Sequence, residues 1–407
     1  MLKRISAFVL VTLVMVSCGS DDKEKEEKKI SFKESVHAFI NSNEDILAFG
    51  HVDFNSIFKK GKFEENPMVQ AFAGEELGKL KTEIDLNTPL YYAVEKEEGM
   101  DEAKVFIFAK LKDQQKLVED MKGQKGFVMK ESNGITYTED GDFVLGMRGE
   151  VAIVIIQGGD YEAKDVVNEA FKRTEEKQPD AKLKADIERA GDITAIANLE
   201  AVAGDIAKSS NLSASDLKAA RTYMTINFEK GMMVMDAEWS FSSAITDKLG
   251  LIRADSPLLA QKLVSTSSGD VLGAVQLSNT TDNGMADVSG MTALVDMYEG
   301  MLGLAAMNLE LKQLDMSEGV EMPGTGRKMG GKLAELFVDF GAIADNMEMA
   351  EVAFVLDELD YASYEVDADG ARVVIKTKRS DENILVTVME LASGAAMMMM
   401  GGGNMYM

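Results

Sequence analysis

Apolar residues along this chain fall into short runs that alternate with polar ones, set off by turns rich in Gly, Asp and Asn. One run, Glu44-Asp45-Ile46-Leu47-Ala48-Phe49-Gly50-His51-Val52-Asp53, returns as Gly191-Asp192-Ile193-Thr194-Ala195-Ile196-Ala197-Asn198-Leu199-Glu200 and, more faintly, as Gly269-Asp270-Val271-Leu272-Gly273-Ala274-Val275-Gln276-Leu277-Ser278. Each is an acidic turn opening into a strand. Helical periodicity follows the first two, over 54–72 with a break near Pro67 and over 201–220, where Ser213 and Asp216 have the spacing of a helix start. Strand pairs come next, 90–96 with 104–111 and 223–229 with 232–241; a last pair, 364–366 with 371–378, is joined by Asp367-Ala368-Asp369-Gly370, a hairpin signal. Helical periodicity resumes over 113–121, 256–264 and 381–392. The recurring order is strand, helix, strand, strand, helix. It predicts an α+β class with two to three repeated modules, each an antiparallel sheet with helices on one face.

Three stretches stand outside this rhythm. Residues 127–157 are cut by Asn133-Gly134, Asp140-Gly141 and Arg148-Gly149 into four short runs, a meander of hairpins inserted in the first module. A polar helical connector spans 161–189 with Pro179 inside it, and its charge run Arg173-Thr174-Glu175-Glu176-Lys177 marks it as a solvated surface element. From Met285 to Met349 the chain is rich in Met and Leu and reads as two or three packed helices broken over 318–331.

The N-terminal pattern is different in kind. Lys3 and Arg4 precede an apolar run from Ile5 to Val16, too short for the ~20 residues of a membrane span, and then come Ser17 and Cys18. Met15-Val16-Ser17-Cys18 resembles the lipobox of bacterial lipoproteins, with Met15 where Leu is usual and Val16 where Ala or Ser is more frequent. The resemblance implies that Cys18 is acylated and becomes the first residue of the mature chain. The segment 19–29 that follows is almost wholly charged and can only be a solvated tether. Its acidic cluster is similar to the export signal that sends lipoproteins of Bacteroidota-type envelopes to the outer membrane's outer face. The expected organisation is a signal peptide at 1–17, tether at 18–31, first α+β module with its hairpin insertion at 32–160, helical connector at 161–190, second module at 191–268, a third, Met-rich module at 269–394 and a Met/Gly tail at 395–407.

Composition narrows the chemistry. The 407 residues carry 43 Lys and Arg against 69 Asp and Glu, one Cys and two His. A polyanion of net charge −26 is repelled by phosphate backbones, which argues against nucleic acid as a partner. A lone Cys excludes an internal disulfide or a cysteine-rich zinc site. Lys3 and Arg4 leave with the signal segment, so the mature chain is more anionic still.

The motifs that resemble catalytic ones are weak. Gly326-Arg327-Lys328-Met329-Gly330-Gly331-Lys332 matches a phosphate-binding loop up to its lysine, but Leu333 stands where the magnesium-holding hydroxyl belongs; a basic turn before a helix at Lys332 explains it. Ser56-Ile57-Phe58-Lys59 and Ser215-Asp216-Leu217-Lys218 have the S-x-x-K spacing of a Ser-Lys nucleophile without the downstream S-D-N or K-T-G, and read as helix-start serines. His37 and His51 read as surface or half-buried residues rather than bases. Asp367 and Asp369 start like a calcium loop but lack its remaining ligands. Methionine is abundant, 28 residues with Met397-Met398-Met399-Met400 in the tail, and a copper(I) site is the one metal hypothesis it raises. Met232, Met233 and Met235 in a strand and Met291, Met297 and Met301 in helices read as core filling instead. No catalytic residue, cofactor or metal ligand is assigned on this pattern.

Lipobox, charged tether and repeated D-I/V-x-A/G strand openings together resemble the Bacteroidota-type lipoproteins built on a repeated, uncharacterised domain of unknown function. That resemblance covers most of 44–391 and implies location and architecture, with no catalytic residues to carry over. The expectation is a non-enzymatic, lipid-anchored envelope protein, an interaction or scaffold module held at the outer membrane through acyl chains on Cys18, with an envelope protein as partner. The alternatives are a hydrolase of an envelope or imported polymer, for which 7% aromatics and the single Trp239 supply few sugar platforms, and a solute- or metal-binding lipoprotein.

Overall fold

The capping box at Ser31, whose hydroxyl accepts from the Glu34 N–H while the Glu34 carboxylate accepts from the Ser31 N–H, starts a helix that the hydrophobic pattern had not announced. In this computed structural model the described residues are most of 31–201, parts of 213–242, strands at 271–278, 291–296, 320–321, 328–329 and 332–339, and 358–391 apart from 367–369. The signal segment, Cys18, the tether, the helix expected at 256–264 and the Met-rich tail lie outside them. The chain divides into two compact units, Met1–Val202 and Ala203–Met407.

In the first unit the elements are α1 (Phe32–Asn41), β1 (Ile46–Val52), α2 (Phe54–Lys60), α3 (Pro67–Glu83), β2 (Leu90–Lys96), β3 (Ala103–Lys110), α4 (Gln114–Lys122), β4 (Lys130–Ser132), β5 (Ile135–Asp140), β6 (Phe143–Arg148), β7 (Val151–Ile156), α5 (Ala163–Arg173), α6 (Ala181–Ile187) and β8 (Ile193–Asn198). Pro67 opens α3, where its missing N–H costs nothing. The four runs of the insertion are β4 to β7, and Asn133 and Gly134 both take positive φ, as a two-residue hairpin turn demands. The strands run β8-β1-β2-β3-β7-β6-β5-β4, each antiparallel to its neighbours.

Opposed residues in an antiparallel sheet share a face. One row on one face is Ile196, Phe49, Ala93, Phe106, Ile155 and Val144, and beside it run Thr194, His51, Tyr91, Phe108, Ile153 and Gly146. On these rows α1 sets Phe39 between Phe106 and Phe108, with ring centroids 4.7 and 4.9 Å away. Val167 and Phe171 of α5 come close over Gly146. The other face presents Leu145, Met147 and Ala152 to a core of Leu80, Ile84, Leu117 and Met121 from α3 and α4. Helices therefore cover both faces of this sheet, where one covered face was expected. The connector is also corrected: α5 buries Val167, Ala170 and Phe171 completely and roofs the sheet instead of lying in solvent. Its charged residues had masked an apolar stripe at helical spacing.

In the second unit the described strands are β9 (Arg221–Glu229), β10 (Met232–Ser240), β11 (Val271–Ser278), β12 (Met291–Asp296), β13 (Val320–Glu321), β14 (Lys328–Met329), β15 (Lys332–Asp339), β16 (Leu359–Val366) and β17 (Gly370–Thr377). The larger sheet has the order β12-β11-β15-β16-β17-β10-β9, antiparallel throughout, and β13 pairs with β14. Two expectations fail here. Within 285–349 the described residues form strands, so Met291 lies in β12 and not in a helix, and the chain leaves Gly331 as strand β15 rather than helix. Short, largely apolar runs fit a buried helix or a central strand equally well by pattern, and neighbouring strands decided the matter. A helix over 384–391 follows β17, and its entry clasps the β9–β10 turn: the Gly231 N–H donates to the Glu382 carbonyl at 2.6 Å and the Thr377 N–H to the Gly231 carbonyl at 2.8 Å. The class is α+β with antiparallel sheets, and sheet dominates.

Candidate functional site

The first two copies of the repeated strand opening meet. β1 and β8 pair with Phe49 opposite Ile196 and His51 opposite Thr194. A Cβ on Gly50 would sit 2.0 Å from the Thr194 carbonyl oxygen, which instead accepts a hydrogen bond from the Tyr92 hydroxyl at 2.8 Å. Only glycine permits that approach. The Thr194 hydroxyl oxygen accepts from the His51 backbone N–H at 3.1 Å and lies 3.0 Å from His51 Nδ1. Backbone at Gly191 and Ile187 also acts on the ring as a hydrogen-bonding neighbour. Burial is the larger effect and pushes the His51 pKa down, which favours the neutral ring.

Beside it, Asp53 caps α2 by accepting from the Ser56 N–H at 2.9 Å. The Ser56 hydroxyl donates to Asp192 Oδ1 at 2.6 Å, and Lys60 Nζ reaches both Asp192 oxygens, at 2.7 and 2.6 Å. The partner of Ser56 is thus Lys60, one turn on and acting through Asp192, and not Lys59 of the S-x-x-K spacing. Asp192 is 3% exposed and its oxygens are occupied by a cation and a hydroxyl. This is a buried tie between α2 and the start of β8, with no free base to accept a serine proton.

His37 and His51 are both buried, at 2% and 6% exposure, which corrects the expectation of surface or half-buried rings. His37 Nε2 lies 3.7 Å from Glu188 Oε1, and burial lowers its pKa as well. In the second S-x-x-K tetrad, Ser215 to Leu217 form a turn, where the Ser213 hydroxyl donates to Asp216 Oδ2 at 2.6 Å. Lys328 and Met329 of the glycine-rich stretch lie in β14. Met232, Met233 and Met235 lie in β10, as the alternation predicts. Asp367 and Asp369 lie outside the described residues; on either side of them Val366 pairs with Ala371. Among the described residues no group of three or more His, Cys, Asp or Glu converges as a metal site would require.

An open groove of about 420 Å³ lies between the β4–β5 turn and α5. Four of its polar groups are paired with one another: Arg148 Nη2 sits 2.6 Å from Glu175 Oε1, and Asn133 Nδ2 donates to Asn168 Oδ1 at 3.0 Å. Sequence reasoning missed two buried charged arrangements. One is Arg173, whose Nη1 is 2.6 Å from Glu95 Oε2 while its guanidinium lies 3.8 Å from the Phe39 ring centroid. The other is Glu83 with Asp120, two acids on adjacent helices at 0% and 1% exposure. The signal for the second was an acid at a core position of each helical pattern, Leu80-x-x-Glu83-Ile84 and Leu117-x-x-Asp120-Met121.

No protein-family model and no curated protein matches the chain. Among solved structures it is similar to crystal form III of TP0453, at 12% identity and a TM-score of 0.33 over 54% of this chain and 89% of that one. Crystal form I of the same protein aligns at 14% identity and a TM-score of 0.33, over 56% and 90%. A likeness at that TM-score carries no argument about this chain.

Proposed function

We propose that this chain is a lipid-anchored cell-envelope protein, held at the outer membrane by acyl chains on Cys18 and acting as a non-enzymatic interaction or scaffold module built from repeated α+β units. The observation that carries the reading is the placement of the sole Cys directly behind a short apolar run, followed by a charged tether and then by a helix that starts at Phe32 with its own capping box. An acylated residue at that position needs a solvated spacer before the first packed element, and 19–29 is one. Among the described residues, Ser56, whose spacing resembled a nucleophile's, and His51, weighed as a base, hydrogen-bond to Asp192 and Thr194, which supports a structural role for both. The pairing of β1 with β8 is what two related modules sharing a sheet would produce.

Metabolic labelling with an alkyne fatty acid tests the anchor. Wild type takes up label and fractionates with membrane, while C18S does neither; label retained on C18S refutes the anchor. Affinity capture from solubilised envelope with the acylated protein tests the module. A defined envelope protein that co-purifies stoichiometrically supports it, and turnover of an envelope polymer without such a partner favours the hydrolase reading.

A further inference from the structure

Glu83 ends α3 and Asp120 lies in the last turns of α4, and each sits in the same apolar frame, Leu80 and Ile84 around one, Leu117 and Met121 around the other. Both residues are fully buried, and none of their four carboxyl oxygens finds a hydrogen-bond donor. The two helices pack against each other here, and Asp120 acts on Glu83 both as a hydrogen-bonding neighbour and as a like charge. Two carboxylates cannot bond, because neither has a proton to donate. Two bare negative charges in an apolar contact with no cation bound to them would be strongly unfavourable. One shared proton removes both difficulties. It turns one acid into a donor and leaves a single charge delocalised over the pair.

The surroundings reinforce this. The charged groups that act on the pair are Lys116 from α4 and Lys79 from α3. Lys116 Nζ is engaged 2.8 Å away by the Thr82 hydroxyl. The sheet face below offers Leu145, Met147 and Ala152. The α3 end is meanwhile held at its backbone: the Glu83 carbonyl accepts from the Lys112 N–H at 2.7 Å and from the Asp113 N–H at 3.4 Å, just before α4 begins.

We propose that Glu83 and Asp120 form a proton-sharing carboxyl pair that latches α4 onto α3, so that this helix pair is closed while the pair holds its proton and loosens when the proton is lost. Burial and the neighbouring acid push Glu83 up to about 8. When the contact opens, the Glu83 carboxyl meets water and returns towards the ordinary carboxylate range. The closed form therefore holds more protons than the open form between about pH 4.5 and 8. Opening grows with pH across that window, by at most about tenfold per unit for one proton, and levels off above it. The latch requires no ligand and is independent of the anchor.

Amide hydrogen exchange of the full chain, read as protection factors for 114–122 at pH 5 to 9, tests it, with the α1 amides as an internal reference. In wild type, α4 protection should fall by at least tenfold from pH 6 to pH 8 relative to α1. E83Q, which supplies a permanent donor to Asp120, should flatten the profile and hold α4 closed at pH 8.5; D120N is the reciprocal variant should E83Q not fold. A flat wild-type profile overturns the proposal whatever the variants do, and so does an E83Q or D120N profile that parallels wild type.

Discussion

Truncating Arg173 to Ala should loosen the helix-covered face of the first unit. Arg173 is the last residue of α5, and its guanidinium reaches inward. It donates from Nε to the Ser42 hydroxyl at 2.8 Å, pairs through Nη1 with Glu95 Oε2 on β2 at 2.6 Å, and lies over the rings of Phe39 and Phe106 at 3.8 and 5.3 Å. The Arg173 side chain is 9% exposed and that of Glu95 15%. Removing the cation strands a nearly buried carboxylate, which costs about 3–5 kcal/mol in buried pairs. The remaining water access to Glu95 places this case near the lower end, ~3 kcal/mol, or about 150-fold in an opening equilibrium. Hydrogen exchange of the α1 and β2 amides measures it directly. E95Q alone should cost less, ~1–2 kcal/mol, because an amide can still accept from Arg173. The double variant R173A/E95Q should then recover part of the loss, with a coupling of about 1–3 kcal/mol. Protection within about fivefold of wild type in R173A, or a double variant equal to the sum of the two singles, would refute this account of how α1, β2 and α5 are held together.

Other outcomes follow from the same contacts. G50A places a Cβ against the Thr194 carbonyl and should part β1 from β8, costing ~3 kcal/mol or more and lowering the melting temperature by several degrees. Asp192→Ala orphans both Ser56 and Lys60 and should cost ~1–3 kcal/mol in urea unfolding, whereas a fluorophosphonate probe should leave Ser56 unlabelled; labelling there would reinstate the nucleophile. Burial holds both histidines below their usual pKa, so as pH falls below about 6.5 the unfolded chain binds protons first and stability is lost; H37N and H51N should each shallow that acid limb in a pH series of melting temperatures.

The parts of the fold that were legible are those where period and turn chemistry agree. β4 to β7 could be placed because Asn133-Gly134 and Arg148-Gly149 punctuate alternating runs, and the β2–β3 pair because its strands are short and bounded by charge. α1 was not legible, since Phe32, Val36, Ala38, Phe39 and Ile40 are its apolar anchors and the charged tether runs straight into them; its start depends on Ser31 and Glu34 acting as a capping box. β12 and β15 were misjudged for a different reason. Met291 to Asp296 and Lys332 to Asp339 have no glycine or proline inside them, so nothing local separates strand from helix, and pairing with β11 settles both.

Sites follow the same division between local and long-range information. The S-x-x-K tetrad proposes a bond from Ser56 to Lys59 because both lie on one helical face, but Asp192, 136 residues away, captures Ser56 and brings Lys60 with it. A motif read along the chain has no means of registering a distant carboxylate that competes for the same hydroxyl. Glu83 and Asp120 are the opposite case, since each breaks the apolar pattern of its own helix at a position that ought to be Leu or Ile. A single misplaced acid is ordinarily tolerated by turning its helix or reaching for solvent. Two in matching frames, on helices joined through one short strand pair, can satisfy each other at the cost of one retained proton. Polar residues that violate an amphipathic pattern in sequence-adjacent helices are therefore better guides to chemistry in this chain than the motifs that match a catalytic spacing.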